Sequence, residues 1–384
     1  MTNIGIITQS HFPALGGEQI FNHNLATELH NQNIVQPTVI CSPIKNINHK
    51  NLYDYNCFPS KNFSYLTNWL YNKNINYIVQ KRNVKLLHGS MLHGGGFSAL
   101  KYGKKYNIPT LAVSHGSDVQ SVPEIGYGAI NSKYANNVIE VIENIDHLVA
   151  VSKMNMKNMV QLGADPDKIT VINNGINLKP VENLKIENIR GNFNCDDEDF
   201  LITFVGRNSP IKRVSLLFKA LKILKEYKKI KCVIVGPKGD MKDLIIKNQI
   251  MDKVILLGTI PKKFQAGDHL PHGDLINIYK NSNIYISTSY AEAFGGTALE
   301  ALACGTPIIC GKYHGINDVV KNGFNGYVMK NDEPEELANI ILTLYKEKNY
   351  YKSIRKKIQN TVRHLDWPLV AERYTKLYQK LIIN

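Results

Sequence analysis

The sequence contains no run of eighteen residues free of both charge and glycine, so we expect no transmembrane helix. It also lacks a basic segment at its start and opens with a strand-like pattern, so no signal peptide is expected. None of the six cysteines has a CxxC spacing. Cys232, Cys304 and Cys310 lie in apolar surroundings that are typical of reduced core thiols. These features predict a cytoplasmic protein.

Acidic residues are outnumbered, because 32 Asp and Glu stand against 46 Lys and Arg and give a formal net charge of +14. A basic surface attracts nucleic acid, anionic lipid and nucleotide sugars alike. The sequence has no helix-turn-helix, zinc-finger or RNP pattern that would favour nucleic acid. Apolar residues make up 43% of the 384 residues, which is an ordinary globular composition in a chain long enough for two domains.

The most informative stretch spans residues 283–311 and reads NIYISTSYAEAFGGTALEALACGTPIICG. Ile284 and Ile286 predict a short buried strand, which a loop with two adjacent glycines follows. A short helix is predicted over residues 297–304, with Gly305 at the position of a C-terminal cap. The next strand is predicted at 308–310, so the stretch forms a tight βαβ unit.

Two carboxylates, Glu292 in the loop and Glu300 in the helix, flank a predicted anion site. The backbone N–H groups of a helix N-terminus lack partners and carry partial positive charge. A glycine pair lets a bulky anion approach the backbone closely. The carboxylates would then suit the hydroxyls of two sugars joined by a diphosphate. The alternative is that Glu300 closes a capping box that begins at Thr297.

The spacing Glu-x7-Glu within EAFGGTALEALACGTPII resembles the EX7E segment of the family-4 glycosyltransferases, which have the GT-B fold. The resemblance implies that Glu292 contacts the donor sugar and that Glu300 contacts the ribose. It also implies that backbone amides of the loop contact the diphosphate. Those amides belong to Phe294, Gly295, Gly296 and Thr297.

In the first half of the chain, a strand predicted over residues 3–8 is followed by Gly16-Gly17 and a helix over about 19–31. This order is half of a nucleotide-binding unit, although a lone glycine pair is a weak signal. The G-x-G-x-x-G spacing and its acidic partner are absent, which argues against a dinucleotide site. The family resemblance instead implies that the loop with Gly16 and Gly17 reaches toward donor phosphate and acceptor.

A strand predicted at 110–114 ends in His115-Gly-Ser-Asp118. A histidine at the carboxyl end of a strand faces the ligand crevice of an open α/β sheet. The alternative is a histidine satisfied by backbone groups. The sequence HGSD resembles the HG-x-D/E segment of the same family, which implies that His115 lies beside the donor sugar. Asp118 is then a substrate-binding candidate of the same segment.

Arg207 and Lys212 directly follow a strand predicted at 200–206. Two cations at a strand's carboxyl end suit a diphosphate, because arginine can donate two parallel hydrogen bonds and lysine acts as a point charge. The alternative is that either residue alone is part of a solvated loop. The family's GR…K context supports the pair. The resemblance also implies that backbone after the strand at 254–257 contacts the nucleobase. The candidates for that contact are Thr259 and Ile260.

Strands and helices alternate through two halves of similar length, which predicts two doubly wound α/β domains. The resemblance implies the GT-B fold, with two Rossmann-like domains facing a central cleft and a C-terminal helix that crosses back to the first. We expect an acceptor-side domain at 1–180, a linker at 181–199, a nucleotide-sugar-binding domain at 200–365 and the crossover helix at 366–384.

The resemblance further implies a retaining enzyme of the hexosyltransferase type. Its donor would be a nucleotide-diphosphate sugar, with no other cofactor, and its acceptor a carbohydrate or lipid-linked molecule in envelope or surface polysaccharide synthesis. No metal is expected, because the D-x-D at residues 165–167 lies in a proline-containing turn and not behind an apolar strand, and no His/Cys cluster occurs. The alternatives are an epimerase or phosphorylase of the same architecture, or a non-catalytic nucleotide-sugar-binding protein.

The stretch from residue 62 to residue 81 combines aromatic residues such as Trp69 with Lys73 and Lys81, and Lys61 stands just before it. Two interpretations fit this pattern. One is a helix that touches an anionic membrane surface, and the other, which is more common, is a helix packed on the core.

Overall fold

The protein consists of parallel strands that alternate with helices, and its computed structural model describes residues 1–9, 11, 16–41, 54–56, 64–237, 239, 241–260 and 271–383. The strands are β1 Thr2–Thr8, β2 Val35–Cys41, β3 Asp54–Asn56, β4 Leu86–Ser90, β5 Thr110–Ser114, β6 His147–Ala150, β7 Ile169–Val171, β8 Phe200–Val205, β9 Ile230–Val235, β10 Val254–Gly258, β11 Ile284–Ile286, β12 Ile308–Cys310 and β13 Gly326–Val328. The α-helices are α1 Gly17–Gln32, α2 Ser64–Lys81, α3 Phe97–Tyr106, α4 Ala135–Asn144, α5 Lys153–Gln161, α6 Leu178–Asn183, α7 Val214–Ile223, α8 Met241–Asn248, α9 Gly273–Asn281, α10 Gly296–Ala303, α11 Pro334–Lys346, α12 Lys348–Ser353, α13 Arg355–Asn360 and α14 Trp367–Ile383.

The chain divides into two compact units. Unit 1 comprises Met1–Gly175 and Leu365–Asn384, and unit 2 comprises Ile176–His364. The sheet of unit 1 has the order β3-β2-β1-β4-β5-β6-β7, and that of unit 2 has the order β10-β9-β8-β11-β12-β13. All strand pairs in these two sheets are parallel. The prediction of two doubly wound α/β domains is confirmed.

Each sheet changes direction beside its unit's first strand, since β1 lies between β2 and β4, and β8 lies between β9 and β11. Ligands of open α/β sheets bind outside the carboxyl ends of the strands at such switch points. The strands are apolar enough to be covered on both faces, and Ile4, Ile6, Leu201 and Ile202 are completely buried. Within each unit a site is therefore expected at the carboxyl ends of these strands, β1 and β4 in unit 1 and β8 and β11 in unit 2.

The C-terminal helix α14 belongs to unit 1. The ring of Trp367 packs against Gly175 so closely that a Cβ atom on this glycine would lie 2.5 Å from the ring. The Tyr378 hydroxyl is hydrogen-bonded to Nδ1 of the buried His88 at 2.7 Å, and the ring of Tyr374 stacks on that histidine. Aromatic packing and a buried hydrogen bond thus hold the helix to the strands of unit 1.

Residues 181–199, which the sequence predicts to be a linker, lie within unit 2. Arg190 donates from Nη1 to the carbonyl of Asn281 at 2.8 Å and from Nη2 to the carbonyl of Asp199. Lys280 donates to the carbonyl of Val181 at 2.5 Å. Arg190 and Lys280 thus tie this stretch to unit 2, and the boundary between the units falls at Gly175.

Cys232, Cys304 and Cys310 are buried free thiols, as the sequence predicts. Cys41 at the end of β2 is disulfide-bonded, which the cysteine spacing does not predict. Within the described ranges, none of the helices is both long and apolar enough to cross a membrane.

Candidate active site

In unit 2, the loop after β11 ends at the N-terminus of α10. Gly295 is the residue before this helix, and its φ of 102° lies in the left-handed region that favours glycine. The backbone N–H groups of Phe294, Gly295 and Gly296 donate to no described residue. These unpaired donors lie at the positive end of the helix dipole, so the segment is suited to bind an anion.

Glu292 lies in the same loop and forms an ion pair with Lys212. Its Oε1 also accepts a hydrogen bond from the Ser289 hydroxyl at 2.6 Å, and its backbone carbonyl accepts from Gly315 N at 2.9 Å. Burial by itself would raise the pKa of Glu292, but the charges of Lys212 and His314 and the hydrogen bonds outweigh it and lower this pKa. Glu292 is therefore an ionised acceptor at neutral pH.

The two cations predicted after β8 occupy different environments. Lys212 ends a short 3-10 turn and is tied to Glu292. Arg207 is exposed, and no described side chain forms an ion pair with it. A free arginine and a paired lysine thus follow the same strand.

Arg213 was not predicted from the sequence. It has a φ of 47° and forms an ion pair with Asp332 at 3.2 Å. Its Nε donates to the carbonyl of Thr288 at 3.1 Å, and its guanidinium lies 4.4 Å from the centre of the Tyr290 ring. Arg213 therefore anchors the loop that carries Glu292. Its partner Asp332 is 119 positions further along the chain, so local spacing gave no signal.

Glu300 lies in the second turn of α10, where its Oε2 accepts a hydrogen bond from the Tyr279 hydroxyl at 3.0 Å. The Thr297 hydroxyl is bonded to the Tyr285 hydroxyl at 2.7 Å, and the residue before the helix is Gly295. The capping-box alternative for Glu300 is therefore wrong. Burial raises the pKa of Glu300 to about 7, against the effect of the Tyr279 hydrogen bond.

Thr259 and Ile260 directly follow β10, as predicted; Thr259 is exposed and Ile260 is half-buried. Residues 261–270, which come next in the chain, lie outside the described residues. Unit 2 thus brings together Glu292, Lys212 and the helix N-terminus, and it places Glu300 in the second turn of the same helix.

In unit 1, His115 directly follows β5. Its Nε2 is hydrogen-bonded to the Ser90 hydroxyl at the end of β4 at 2.9 Å, and its ring makes an edge contact with Phe21. The Ser90 hydroxyl also accepts from Nδ2 of Asn22 at 3.0 Å. Burial lowers the pKa of His115 to about 4, although the charge of Asp118 acts in the opposite direction. The imidazole is therefore neutral and is held by a side chain rather than by backbone.

Asp118 is completely buried. Its Oδ1 accepts from the Ser114 hydroxyl at 2.7 Å and from Gly116 N at 2.9 Å, and its Oδ2 accepts from Leu92 N at 2.9 Å. Both carboxylate oxygens are used inside unit 1. Asp118 thus fixes the turn that carries His115, which differs from the direct substrate contact suggested by the sequence.

Gly16 and Gly17 lie at the N-terminus of α1, as predicted. The next residue, Glu18, was overlooked. Its Oε1 accepts a hydrogen bond from the Thr8 hydroxyl at 2.6 Å. Burial raises the pKa of Glu18 to about 7, since the Thr8 hydrogen bond opposes burial only in part and the charge of Asp118 adds to it. Its position beside the glycine pair was the available signal.

Two family descriptions match almost the whole chain. "Glycosyltransferase Family 4" matches residues 15–179, and "Glycosyl transferases group 1" matches residues 185–361. The chain belongs to the group 1/family 4 glycosyltransferases.

The chain is 26% identical over 250 residues to D-inositol 3-phosphate glycosyltransferase of Rhodococcus jostii. That match covers 64% of this chain and 55% of the relative, so the chain spans about half the length of the relative it matches.

Two solved structures resemble it over the full fold. Sucrose-phosphate synthase of Thermosynechococcus elongatus has a TM-score of 0.81 at 18% identity, with 100% of both chains covered. The Anabaena protein HepE in complex with UDP-glucose has a TM-score of 0.77 at 17% identity, covering 99% of this chain and 100% of that chain. These likenesses confirm the GT-B fold class of the chain.

Proposed function

We propose that the protein is a retaining glycosyltransferase that moves a sugar from a nucleotide-diphosphate sugar to an acceptor. The observation that carries this proposal is the group in unit 2 formed by the free amides at the start of α10, the Lys212–Glu292 pair and Glu300. The complex of the structural neighbour HepE with UDP-glucose supports this donor class.

The diphosphate is assigned to the amides of Phe294, Gly295 and Gly296, together with Arg207 and Lys212. Partial positive charge at a helix N-terminus and charge-assisted hydrogen bonds both stabilise a phosphate. Thr297, the second residue of the same helix, extends this group of diphosphate contacts. We assign the other parts of the donor as follows. Glu292 contacts the donor sugar, and Glu300 contacts the ribose. Thr259 and Ile260 contact the nucleobase.

Unit 1 is assigned to the acceptor side. His115 is assigned to the donor sugar, because Nε2 of its neutral imidazole is bonded to Ser90 and Nδ1 is left for a sugar hydroxyl. Asp118 acts through the turn that holds His115. The loop at Gly16 and Gly17 is assigned to donor phosphate and acceptor. A carbohydrate or lipid-linked acceptor in envelope or surface polysaccharide synthesis is the class we propose.

In the proposed reaction, the bond between the anomeric carbon and the leaving phosphate oxygen breaks. The acceptor oxygen then bonds to the anomeric carbon on the same face, so the configuration is retained. The acceptor proton passes to the leaving phosphate. Arg207, Lys212 and the helix amides stabilise the negative charge that develops on the diphosphate, which is the usual role of preorganised donors.

The proposal is tested by isothermal titration with a panel of nucleoside diphosphates, followed by incubation with the matching sugar donor, with and without acceptor. Transfer with retained anomeric configuration supports it. A new free or epimerised sugar formed from donor alone would favour a GT-B epimerase. Turnover only with inorganic phosphate would favour a phosphorylase, and binding without any turnover would favour a sugar-binding protein.

Transfer activity is expected to survive an excess of EDTA, because amino-acid cations and helix amides supply the charge that a metal would supply. Within the described part of the chain, no group of three His, Cys, Asp or Glu side chains is arranged to hold a metal. The measurement is initial rate with EDTA, and with EDTA followed by excess Mg²⁺ or Mn²⁺. A rate that is lost and then restored by either ion would contradict metal independence.

We also propose that unit 1 binds anionic membranes peripherally. Lys73, Tyr77 and Lys81 recur every four residues on α2 and are exposed, with the Lys81 ammonium 5.0 Å from the centre of the Tyr77 ring. Each lysine near an anionic surface contributes about 1 kcal/mol to the free energy of membrane binding. Salt screens this attraction, with a Debye length of about 8 Å at physiological ionic strength. Lys61, the third lysine of this prediction, lies outside the described residues.

Cosedimentation with anionic liposomes is therefore expected at low salt and should fall steeply at moderate salt. Replacement of Lys61, Lys73 and Lys81 by Gln should weaken it. The control is Lys219→Gln with Lys222→Gln, which removes exposed charges on α7 of unit 2. A protein that stays in the supernatant at low salt would instead point to a soluble acceptor.

A further inference from the structure

Tyr279 is a fully buried residue of α9 whose hydroxyl donates to Glu300 Oε2 at 3.0 Å. Its backbone is fixed as well, since its carbonyl accepts from the Thr306 hydroxyl at 2.6 Å and from Arg355 Nη2 at 3.2 Å. A phenylalanine would fill the same space without the hydroxyl. The described structure offers this hydroxyl one partner, the carboxylate of Glu300.

A second buried tyrosine provides a natural comparison. Tyr285 on β11 packs its ring against Tyr279, with ring centres 5.8 Å apart and planes at 72°. Its hydroxyl is bonded to the Thr297 hydroxyl at 2.7 Å. Two neighbouring phenols thus hold two side chains of the same helix, and only one of these side chains carries a charge.

No described residue donates to the other oxygen of Glu300, Oε1. We propose that Tyr279 is a positioning residue for donor binding, whose hydroxyl holds Oε2 of Glu300 so that Oε1 can accept from a ribose hydroxyl. This inference rests on the proposed function, because it takes the ribose as the ligand of Glu300.

The groups around the Glu300 carboxyl explain why the Tyr279 hydroxyl matters for the charge of this carboxyl. Among the described residues they are Tyr279 of α9, Tyr285 of β11 and Cys304, which directly follows α10, and none of them is a cation. Burial raises the pKa of Glu300 to about 7, and the hydrogen bond from Tyr279 opposes this rise. Burial and the neighbouring Glu300 raise the pKa of Tyr279 itself well above its ordinary value, so it stays a donor.

If ionised Glu300 accepts from the ribose, donor affinity should fall as the pH falls through about 7. Tyr279→Phe removes the group that favours the ionised form, so the midpoint should move to higher pH. We expect binding at pH 7 to weaken about tenfold, the scale of one lost hydrogen bond to a charged group. Tyr285→Phe should leave the midpoint at its wild-type value.

The experiment is titration of the full-length protein with UDP between pH 5.5 and pH 8.5, using the tightest-binding nucleoside diphosphate of the panel if UDP is not that ligand. The variants are Tyr279→Phe, Tyr285→Phe, Glu300→Gln and the Tyr279→Phe/Glu300→Gln double variant. In the Glu300→Gln background, Tyr279→Phe should cost little further affinity. Such non-additivity shows that Tyr279 acts through Glu300.

Two results would overturn the inference while leaving the proposed function intact. One is an unmoved pH midpoint in Tyr279→Phe with wild-type affinity. The other is an equal loss of affinity in the presence and absence of the Glu300 carboxylate, which would indicate a packing role only. A wild-type protein that binds none of the nucleoside diphosphates would refute the proposed function, and the inference with it.

Discussion

Replacement of Lys212 by alanine is expected to weaken nucleoside diphosphate binding by about 1.5–3 kcal/mol, the scale of a hydrogen bond between charged groups. It should also destabilise unit 2, because Glu292 then keeps a partly buried negative charge without its partner. Breaking a fully buried ion pair lowers the free energy of unfolding by about 3–5 kcal/mol. We expect a smaller loss of about 1–3 kcal/mol here, because 27% of the Lys212 side chain is exposed. Titration and thermal unfolding measure the two effects.

Arg207→Ala is the matched control, since it removes a cation that follows the same strand but forms no ion pair with a described residue. Its effect on ligand affinity should be similar, at about 1.5–3 kcal/mol, while the melting temperature should barely change. Wild-type affinity in both variants would show that the diphosphate binds elsewhere. Equal destabilisation by both would show that the Lys212–Glu292 pair does not stabilise the unit.

Glu300→Gln is expected to make the protein more stable and the donor complex weaker. The pKa of Glu300 is about 7 in the folded protein and 4.5 as the ordinary value. The folded state therefore binds more protons between these values, and stability falls as the pH rises from about 4.5 through about 7. Because one pKa unit corresponds to 1.36 kcal/mol, glutamine should add up to about 3 kcal/mol at pH 8.

At pH 4 the advantage of glutamine should nearly vanish, because the glutamate is then protonated in the folded state and mostly protonated in the unfolded state. Denaturant unfolding at the two pH values measures this difference, and titration measures the loss of donor affinity. The control is Glu335→Gln on α11, which removes an exposed carboxylate and should give no gain that depends on pH. A Glu300→Gln protein with wild-type donor affinity would refute the ribose assignment.

The sequence predicted those parts of the fold and site that depend on neighbouring residues. The βαβ segment from β11 to β12 is recognisable because apolar strands, a glycine pair and a C-terminal cap glycine lie within 29 residues. Gly305 indeed has a φ of 73° at the end of α10. The positions of Glu292 and Glu300 relative to the helix followed from the same short spacing.

The parts that were missed depend on contacts between distant positions. Arg213 and Tyr279 acquire their roles from Asp332 and Glu300, which lie 119 and 21 positions further along the chain. Residues 181–199 looked like a linker because their polar side chains give no periodic pattern, yet Arg190 satisfies carbonyl groups of unit 2. A pattern read along the chain does not contain these pairings, since they arise only when the sheet has assembled.

The placement of α14 has a consequence for the order in which the protein is made. Unit 2 is one continuous stretch, whereas unit 1 needs both Met1–Gly175 and the last 20 residues. Domains fold from the N-terminus during synthesis, at about 5–20 residues per second. The strands of unit 1 are therefore synthesised before α14. Phe21 and His88 lack their contacts with Trp367, Tyr374 and Tyr378 until α14 has been synthesised. Ribosomal stalling or truncation before residue 367 would therefore leave unit 1 incomplete, although its strands are synthesised first.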